Sequence, residues 1–215
     1  MRSKRKPCQD WKLYVITDAD AVRGRALSDI VRAAIEGGAD VVQLRDKKAP
    51  DAELIRAAEC LLRVTRPMGI PLIINDRVNV AKASGADGVH LGQGDGSLRE
   101  ARTALGEDAI IGRSTHSREQ ALSAEAEGFD YIGVGPVFQT PTKPLVEPVG
   151  LELVRFAAEN LRIPFVAIGG IDASNVEKVR QSGARAAAVV RAVMGAADPK
   201  RAAEALLLSL QGAVK

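Results

Sequence analysis

Apolar residues in this chain fall into short continuous runs separated by longer stretches in which they recur every three or four positions. The runs are LYVITD from Leu13, VVQLRD from Val41, PLIIND from Pro71, GVHL from Gly88, IIGRST from Ile110, YIGVGP from Tyr131, PFVAIGG from Pro164 and AAAVV from Ala186. Rich in β-branched residues, they read as eight strands. The intervening stretches, such as SREQALSAEAEG, GLELVRFAAEN and SNVEKVRQSG, have helical spacing, and PKRAAEALLLSL closes the series.

Eight strand-then-helix units in 215 residues predict an α/β chain folded as a single-domain (β/α)8 TIM barrel of the compact kind. The competing architecture, an open doubly wound sheet, has fewer strands and a glycine-rich fingerprint after the first, which LYVITDADAVRG lacks. A repeat supports the barrel: GGAD precedes Val41, SGAD precedes Gly88, EGFD precedes Tyr131 and SGAR precedes Ala186. The spacing is roughly 45 residues, about two βα units, and the glycine is suited to ending a helix in the left-handed conformation.

Composition narrows the class. At 46% hydrophobic and 27% charged the chain has ordinary globular character. Its start, MRSKRKPCQDWK, is basic but runs into LYVITD with no apolar segment and cleavage site, so residues 1–12 are expected to be a flexible tail and 13–215 the catalytic barrel. No run reaches the length of a membrane span. Cys8 and Cys60 are too few for a disulfide framework, which leads us to expect a cytoplasmic protein. A net charge of +3 with 3% aromatics argues against nucleic acid and leaves small anionic ligands as partners. A homo-oligomer is compatible with all of this.

In a barrel the strand C-termini converge on one face, where chemistry is built. The predicted ends carry Gln43, Arg45, Asp46 and Lys47; Asn75 and Asp76; His90, Gln93 and Asp95; and Ser114, Thr115 and His116. Taken singly, each has a structural explanation as a cap, a turn or a solvated end. Their coincidence on one face is harder to explain that way. Arg45, Lys47 and Lys143 supply three cations, and Asp76 and Asp95 supply two hard oxygen ligands suited to Mg2+. Cations around a Mg2+ site point to a diphosphate. The loop GVGPVFQTPTK adds hydroxyls at Thr140 and Thr142 between Pro136, Pro141 and Pro144, while Gly169 and Gly170 with Arg191 suggest a second anion site.

QLRDK, IINDR, GVHLGQGD, GRSTH, GPVFQTPTK, AIGGI and VVRAV, in that order, closely resemble the thiamine phosphate synthase family, from about Leu13 through the last helix. The resemblance implies condensation of 4-amino-2-methyl-5-(diphosphooxymethyl)pyrimidine with a thiazole phosphate, releasing diphosphate. It implies that Gln43, Leu44, Arg45, Asp46 and Lys47, with Asn75, Ser114 and Lys143, hold the pyrimidine diphosphate. Arg45, Lys47, Ser114 and Lys143 are then the catalytic set, and Asp76 and Asp95 the Mg2+ ligands. Thr140, Pro141, Thr142, Gly170, Val190 and Arg191 fall to the thiazole phosphate. Two positions depart from the pattern: Arg191 stands where some members carry serine, and Gly94 replaces an acidic residue.

Two alternatives share the pocket. A thiazole tautomerase of the same superfamily uses a histidine near the position of His116, and a non-catalytic sensor of thiamine precursors needs no chemistry at all. Retention of Arg45, Lys47, Asp76, Asp95 and Lys143 favours the synthase, with His116 structural or positioning.

Overall fold

Each of the eight apolar runs forms a strand: β1 (Leu13–Ile16), β2 (Val41–Leu44), β3 (Leu72–Asn75), β4 (Gly88–Leu91), β5 (Ile110–Thr115), β6 (Tyr131–Val134), β7 (Phe165–Ile168) and β8 (Ala187–Val189). The structure is a computed structural model and describes residues 8–22, 24–140 and 147–212. All strands are parallel, and they pair in chain order into a closed barrel. Closure is made where β1 meets β8, with Leu13, Tyr14 and Val15 opposite Ala187, Ala188 and Val189. An open sheet is thereby excluded.

Helices follow the strands in the order α1 (Leu27–Glu36), α2 (Asp51–Thr65), α3 (Val78–Ser84), α4 (Leu98–Leu105), α5 (Arg118–Glu127), α6 (Gly150–Asn160), α7 (Val176–Gln181), α8 (Arg191–Met194) and α9 (Pro199–Gln211). The short α8 lies between β8 and the closing helix. Their starts are chemically marked. Ser97 and Glu100 form a reciprocal capping box on α4, Ser117 caps α5, and Asp198 with Pro199 opens α9.

Strand alternation divides the apolar residues into two bodies. Outward residues such as Val15, Val42, Ile74, Val89, Ile111 and Ile132 pack with the helices into one large core. Inward residues, among them Tyr14, Ile16, Val41, Ile73, Tyr131 and Val166, form a second cluster inside the barrel. Burial of both faces explains why the strands read as unbroken apolar runs.

The sequence repeat has a structural reason. The aspartate before each even strand clasps the start of the odd strand before it. Asp40 accepts from the Leu13 amide at 3.1 Å, Asp87 from Leu72 at 2.8 Å and Asp130 from Ile111 at 2.6 Å. These amides lie at strand starts, where the ladder leaves donors to be satisfied. In the fourth repeat Arg185 stands at the aspartate position, and the amides of Arg162 and Ile163, ahead of β7, are taken instead by Glu125 at 2.6 and 2.8 Å. The repeat glycines Gly38, Gly85, Gly128 and Gly183 all have positive φ, as the helix-end reading requires.

Residues 8–12, expected to be part of a flexible tail, pack onto the barrel. Cys8–Asp10 form a 3-10 turn, and the single tryptophan, Trp11, is fully buried. It meets Tyr14 and Tyr131 edge-on, with ring centroids 5.8 and 5.0 Å away, and so closes the base of the barrel. Desolvation accompanies this packing and pushes the Cys8 thiol up to about 12. Cys8 and Cys60 are both free thiols. Among the described residues, no helix is long and apolar enough to cross a membrane.

Candidate active site

The loop leaving β2 is held by several independent bonds. The Arg45 amide donates to Thr17 Oγ1 at 2.9 Å, and Asp46 accepts from the amides of Lys48 and Ala49 at 2.9 and 3.0 Å. Asp46 is therefore occupied in shaping the turn. Arg77 clamps the same loop from β3, donating to the carbonyls of Ala49 at 2.6 Å and Lys47 at 3.2 Å and pairing with Asp51 at 2.9 Å. Leu44 turns its side chain outward into the helix-facing core, so only its backbone can serve a ligand.

Asp76, at the end of β3, is the one described non-glycine residue with positive φ, 63°. A non-glycine residue in this region is uncommon and concentrates at functional positions. Its amide is anchored to the His90 carbonyl at 2.8 Å. Lys47 Nζ lies 3.2 Å from Asp76 Oδ2. Burial raises the Asp76 carboxyl above the ordinary carboxylate range; Lys47 opposes the shift and the neighbouring Asp95 carboxylate reinforces it. Asp95 is positioned by the Gly92 amide, which donates to its Oδ2 at 2.8 Å. Two facing carboxylates with an adjacent cation fit a hard divalent ion that takes its remaining ligands from water and phosphate oxygens. Among the described residues there is no group of three or more His, Cys, Asp or Glu side chains that could hold a metal, so such an ion would depend on its substrate.

Inside the mouth, Gln43 Nε2 donates to Tyr14 Oη at 2.7 Å, and Tyr14 Oη lies 2.9 Å from Tyr131 Oη. Tyr131 Oη lies 3.0 Å from His90 Nδ1, and His90 Nε2 lies 2.9 Å from Ser114 Oγ. Sequence reasoning passed over Tyr14 and Tyr131. The available signal was that the chain has only two tyrosines and that both fall on inward positions of strands.

The loops after β6, β7 and β8 form the other side. Thr140, Gly170, Val190 and Arg191 line the same cavity as Gln43, Arg45, Asn75 and Ser114, within a volume of about 470 Å3. That is ample for a small ligand. Pro141, Thr142 and Lys143 lie outside the described residues. Gly169 and Gly170 are required by close packing of the loops themselves. A Cβ on Gly169 would lie 2.5 Å from Pro136 Cα, and one on Gly170 would lie 2.5 Å from the Gln139 carbonyl oxygen. Arg191 is half exposed, and its Nε is 3.3 Å from Asp18 Oδ2, a buried partner absent from the sequence reading. The His116 ring also lines the cavity, with Nδ1 bonded to the Gly135 carbonyl. That bond spends one ring nitrogen on orientation.

A closed parallel barrel with a cavity at the C-terminal ends of its strands, lined by apolar walls and a few polar side chains, defines a (β/α)8 barrel with an enzyme site at its mouth. Residues 13–193 match the model of the thiamine monophosphate synthase family, TMP-TENI. The chain is 46% identical over 190 residues to the thiamine-phosphate synthase of Syntrophomonas wolfei, covering 88% of this chain and 91% of that one. It is 48% identical over 198 residues to that of Chloroflexus aurantiacus, covering 92% and 91%. The solved thiamine phosphate pyrophosphorylase from Pyrococcus furiosus superposes with a TM-score of 0.86 at 39% identity, covering 97% of this chain and 99% of that one. The chain belongs to the thiamine monophosphate synthase family.

Proposed function

We propose that this mouth joins 4-amino-2-methyl-5-(diphosphooxymethyl)pyrimidine to 4-methyl-5-(2-phosphooxyethyl)thiazole, giving thiamine phosphate and diphosphate; with the 2-carboxy thiazole, carbon dioxide is lost as well. The observation that supports the reading is that four residues expected for each substrate share one cavity: Gln43, Arg45, Asn75 and Ser114 beside Thr140, Gly170, Val190 and Arg191. Two ligands sharing one cavity can react without a carrier.

In this reading the bond between the pyrimidine methylene and the diphosphate oxygen breaks first, and its electron pair leaves with the diphosphate. The ring amino group stabilises the resulting cation. The thiazole nitrogen lone pair then forms the new carbon–nitrogen bond, so no side chain acts as nucleophile. The chain's task is to neutralise the departing charge and align the partners. Arg45, Lys47 and Lys143 bind the diphosphate; Gln43, Asn75 and Ser114 orient the ring. Asp76 and Asp95 would hold Mg2+, which when bound supplies positive charge to the diphosphate oxygens. Thr140, Thr142, the Gly170 backbone and Arg191 take the thiazole phosphate, with Asp18 holding Arg191 in place. The free thiols support a reducing, cytoplasmic setting.

The test is direct: the purified chain with Mg2+ and both substrates is expected to yield thiamine phosphate and diphosphate in equal amounts. Consumption of neither substrate would overturn the assignment.

A further inference from the structure

The barrel interior holds five polar side chains in one unbroken line, Gln43, Tyr14, Tyr131, His90 and Ser114, with every link between 2.7 and 3.0 Å. Both tyrosines are buried, and burial pushes their phenols well above the ordinary range, so each keeps its hydrogen. The hydrogens can then be counted. Gln43 Nε2 donates to Tyr14, so Tyr14 must pass its own hydrogen to Tyr131. Tyr131 has one hydrogen left, and its remaining partner in the line is His90 Nδ1, which must accept. His90 is then protonated on Nε2 and donates to Ser114 Oγ. The reverse tautomer would aim two donors at Tyr131 Oη and strand its hydrogen in the barrel, a costly arrangement.

The ends of the line are determined by the same count. Gln43 commits one Nε2 hydrogen to Tyr14, and Oε1 is the acceptor that its side chain brings to the cavity it lines. Ser114 already accepts from His90, so its hydroxyl hydrogen is available to the cavity. The pocket thus presents an acceptor from β2 and a donor from β5, three strands around the barrel. The space for this arrangement is built into the strands. A Cβ on Gly112 would lie 2.3 Å from Tyr131 Cζ and 2.6 Å from His90 Nδ1, and one on Gly133 would lie 3.3 Å from His90 Cε1.

We propose that His90, locked by Tyr131 as the Nε2–H tautomer, is a positioning residue that turns the Ser114 hydroxyl hydrogen into the cavity, and that the line from Gln43 to Ser114 makes the pocket select a heteroaromatic amine over its hydroxy counterpart. An amino group donates to Gln43 Oε1 while a ring nitrogen accepts from Ser114. The oxo tautomer of the hydroxy compound instead brings a carbonyl oxygen against Gln43 Oε1. The inference rests on the pyrimidine assignment for this side of the cavity and specifies what that side discriminates.

Two measurements on the full chain test it. The protein has only His90 and His116 as histidines, so long-range proton–nitrogen spectra of histidine-labelled protein at pH 7.5, assigned with His90→Asn, read the tautomer directly. Nε2 is expected to carry the hydrogen in the wild type, and Tyr131→Phe is expected to release that preference; a wild type protonated on Nδ1 overturns the proposal. Calorimetry then compares 4-amino-5-hydroxymethyl-2-methylpyrimidine with its 4-hydroxy counterpart. Wild type should favour the amine by roughly 10- to 100-fold, the cost of mismatching a buried polar group. In Tyr131→Phe that ratio should collapse and the KM for the pyrimidine diphosphate should rise, while the KM for thiazole phosphate stays unchanged. A wild-type ratio near one, or a ratio unmoved in a folded Tyr131→Phe, refutes the selection. If Tyr131→Phe does not fold, the wild-type tautomer and ratio decide alone. Absence of thiamine phosphate synthesis would sink the proposed reaction and leave the tautomer result standing, whereas synthesis without amine preference would sink only this inference.

Discussion

Asp76 illustrates how one residue can trade stability for chemistry. It sits at φ 63°, where aspartate is less at ease than asparagine or glycine, and its carboxyl is raised by burial, with Asp95 adding to the shift. A carboxyl with a raised folded-state pKa loses its proton more readily in the unfolded chain. Stability therefore falls as pH rises from the ordinary carboxylate range through the folded pKa, and it stays lower above it. Asp76→Asn should accordingly raise the melting temperature at pH 7 in metal-free buffer, with the charge-dependent part of the gain vanishing below the ordinary carboxylate range. The same change should lower kcat sharply. Mg2+ with pyrimidine diphosphate should raise the melting temperature of the wild type much more than that of the variant. Thermal melts at several pH values, with and without ligand, check both signs. A variant less stable than wild type at pH 7 would contradict the strain and charge argument.

Among the elements, the three aspartate clasps tie the starts of β1, β3 and β5 to the segments that enter β2, β4 and β6. Asp130 is the most heavily committed: beyond the Ile111 amide it takes both Arg102 Nη2 contacts, at 2.8 and 2.7 Å. Arg102 is largely buried and spans from α4 to the base of β6. Removal of the carboxylate takes the acceptor from Arg102 Nη2 and from a strand amide, while Arg102 Nη1 keeps the Glu107 and Ala109 carbonyls. Asp130→Ala is therefore expected to reduce the unfolding free energy by about 1.5–3 kcal/mol, the worth of a charged hydrogen bond. Urea denaturation measures the loss. A change within a few tenths of a kcal/mol would show that the clasp follows from barrel closure and does not support it.

For the molecule as a whole, the site depends on a barrel that is closed by aromatic packing at its base and open at its mouth. Trp11 supplies the base by lying against both tyrosines of the interior line. Trp11→Ala should cost about 3–5 kcal/mol, typical of deleting a buried aromatic. Because the vacated space adjoins Tyr14 and Tyr131, the variant should also lose affinity for the pyrimidine substrate before it unfolds. Denaturation curves and the two KM values separate these effects. A KM for thiazole phosphate that rose as much as that for the pyrimidine would indicate general loosening of the barrel.

Much of this architecture is legible in the order of residues. Strands buried on both faces produce unbroken apolar runs, helices between them repeat near 3.6, and eight alternations leave few topologies. The strand ends were likewise visible, because polar residues directly after apolar runs stand out: Gln43, Arg45, Asn75 and Ser114 do line the cavity. Thr140, Gly170 and Arg191, read from the loop and glycine motifs, and Val190, added by the family resemblance, line it too. Other features required three dimensions. Trp11 looked like part of a polar tail because its burial comes from residues far along the chain. Tyr14 and Tyr131 lie 117 positions apart and meet only when the barrel closes, so no local pattern marks them as partners. The glycine pair after β7 was legible as special, but its crowding against Pro136 and Gln139 depends on how two loops approach each other. Local order thus determined which segments are strands and which residues stand at their ends, since both follow from periodicity and chain reversal. Tertiary structure alone decided which hydrogen-bond donors face which acceptors across the barrel, because that direction is a property of a closed network whose members are scattered through the chain.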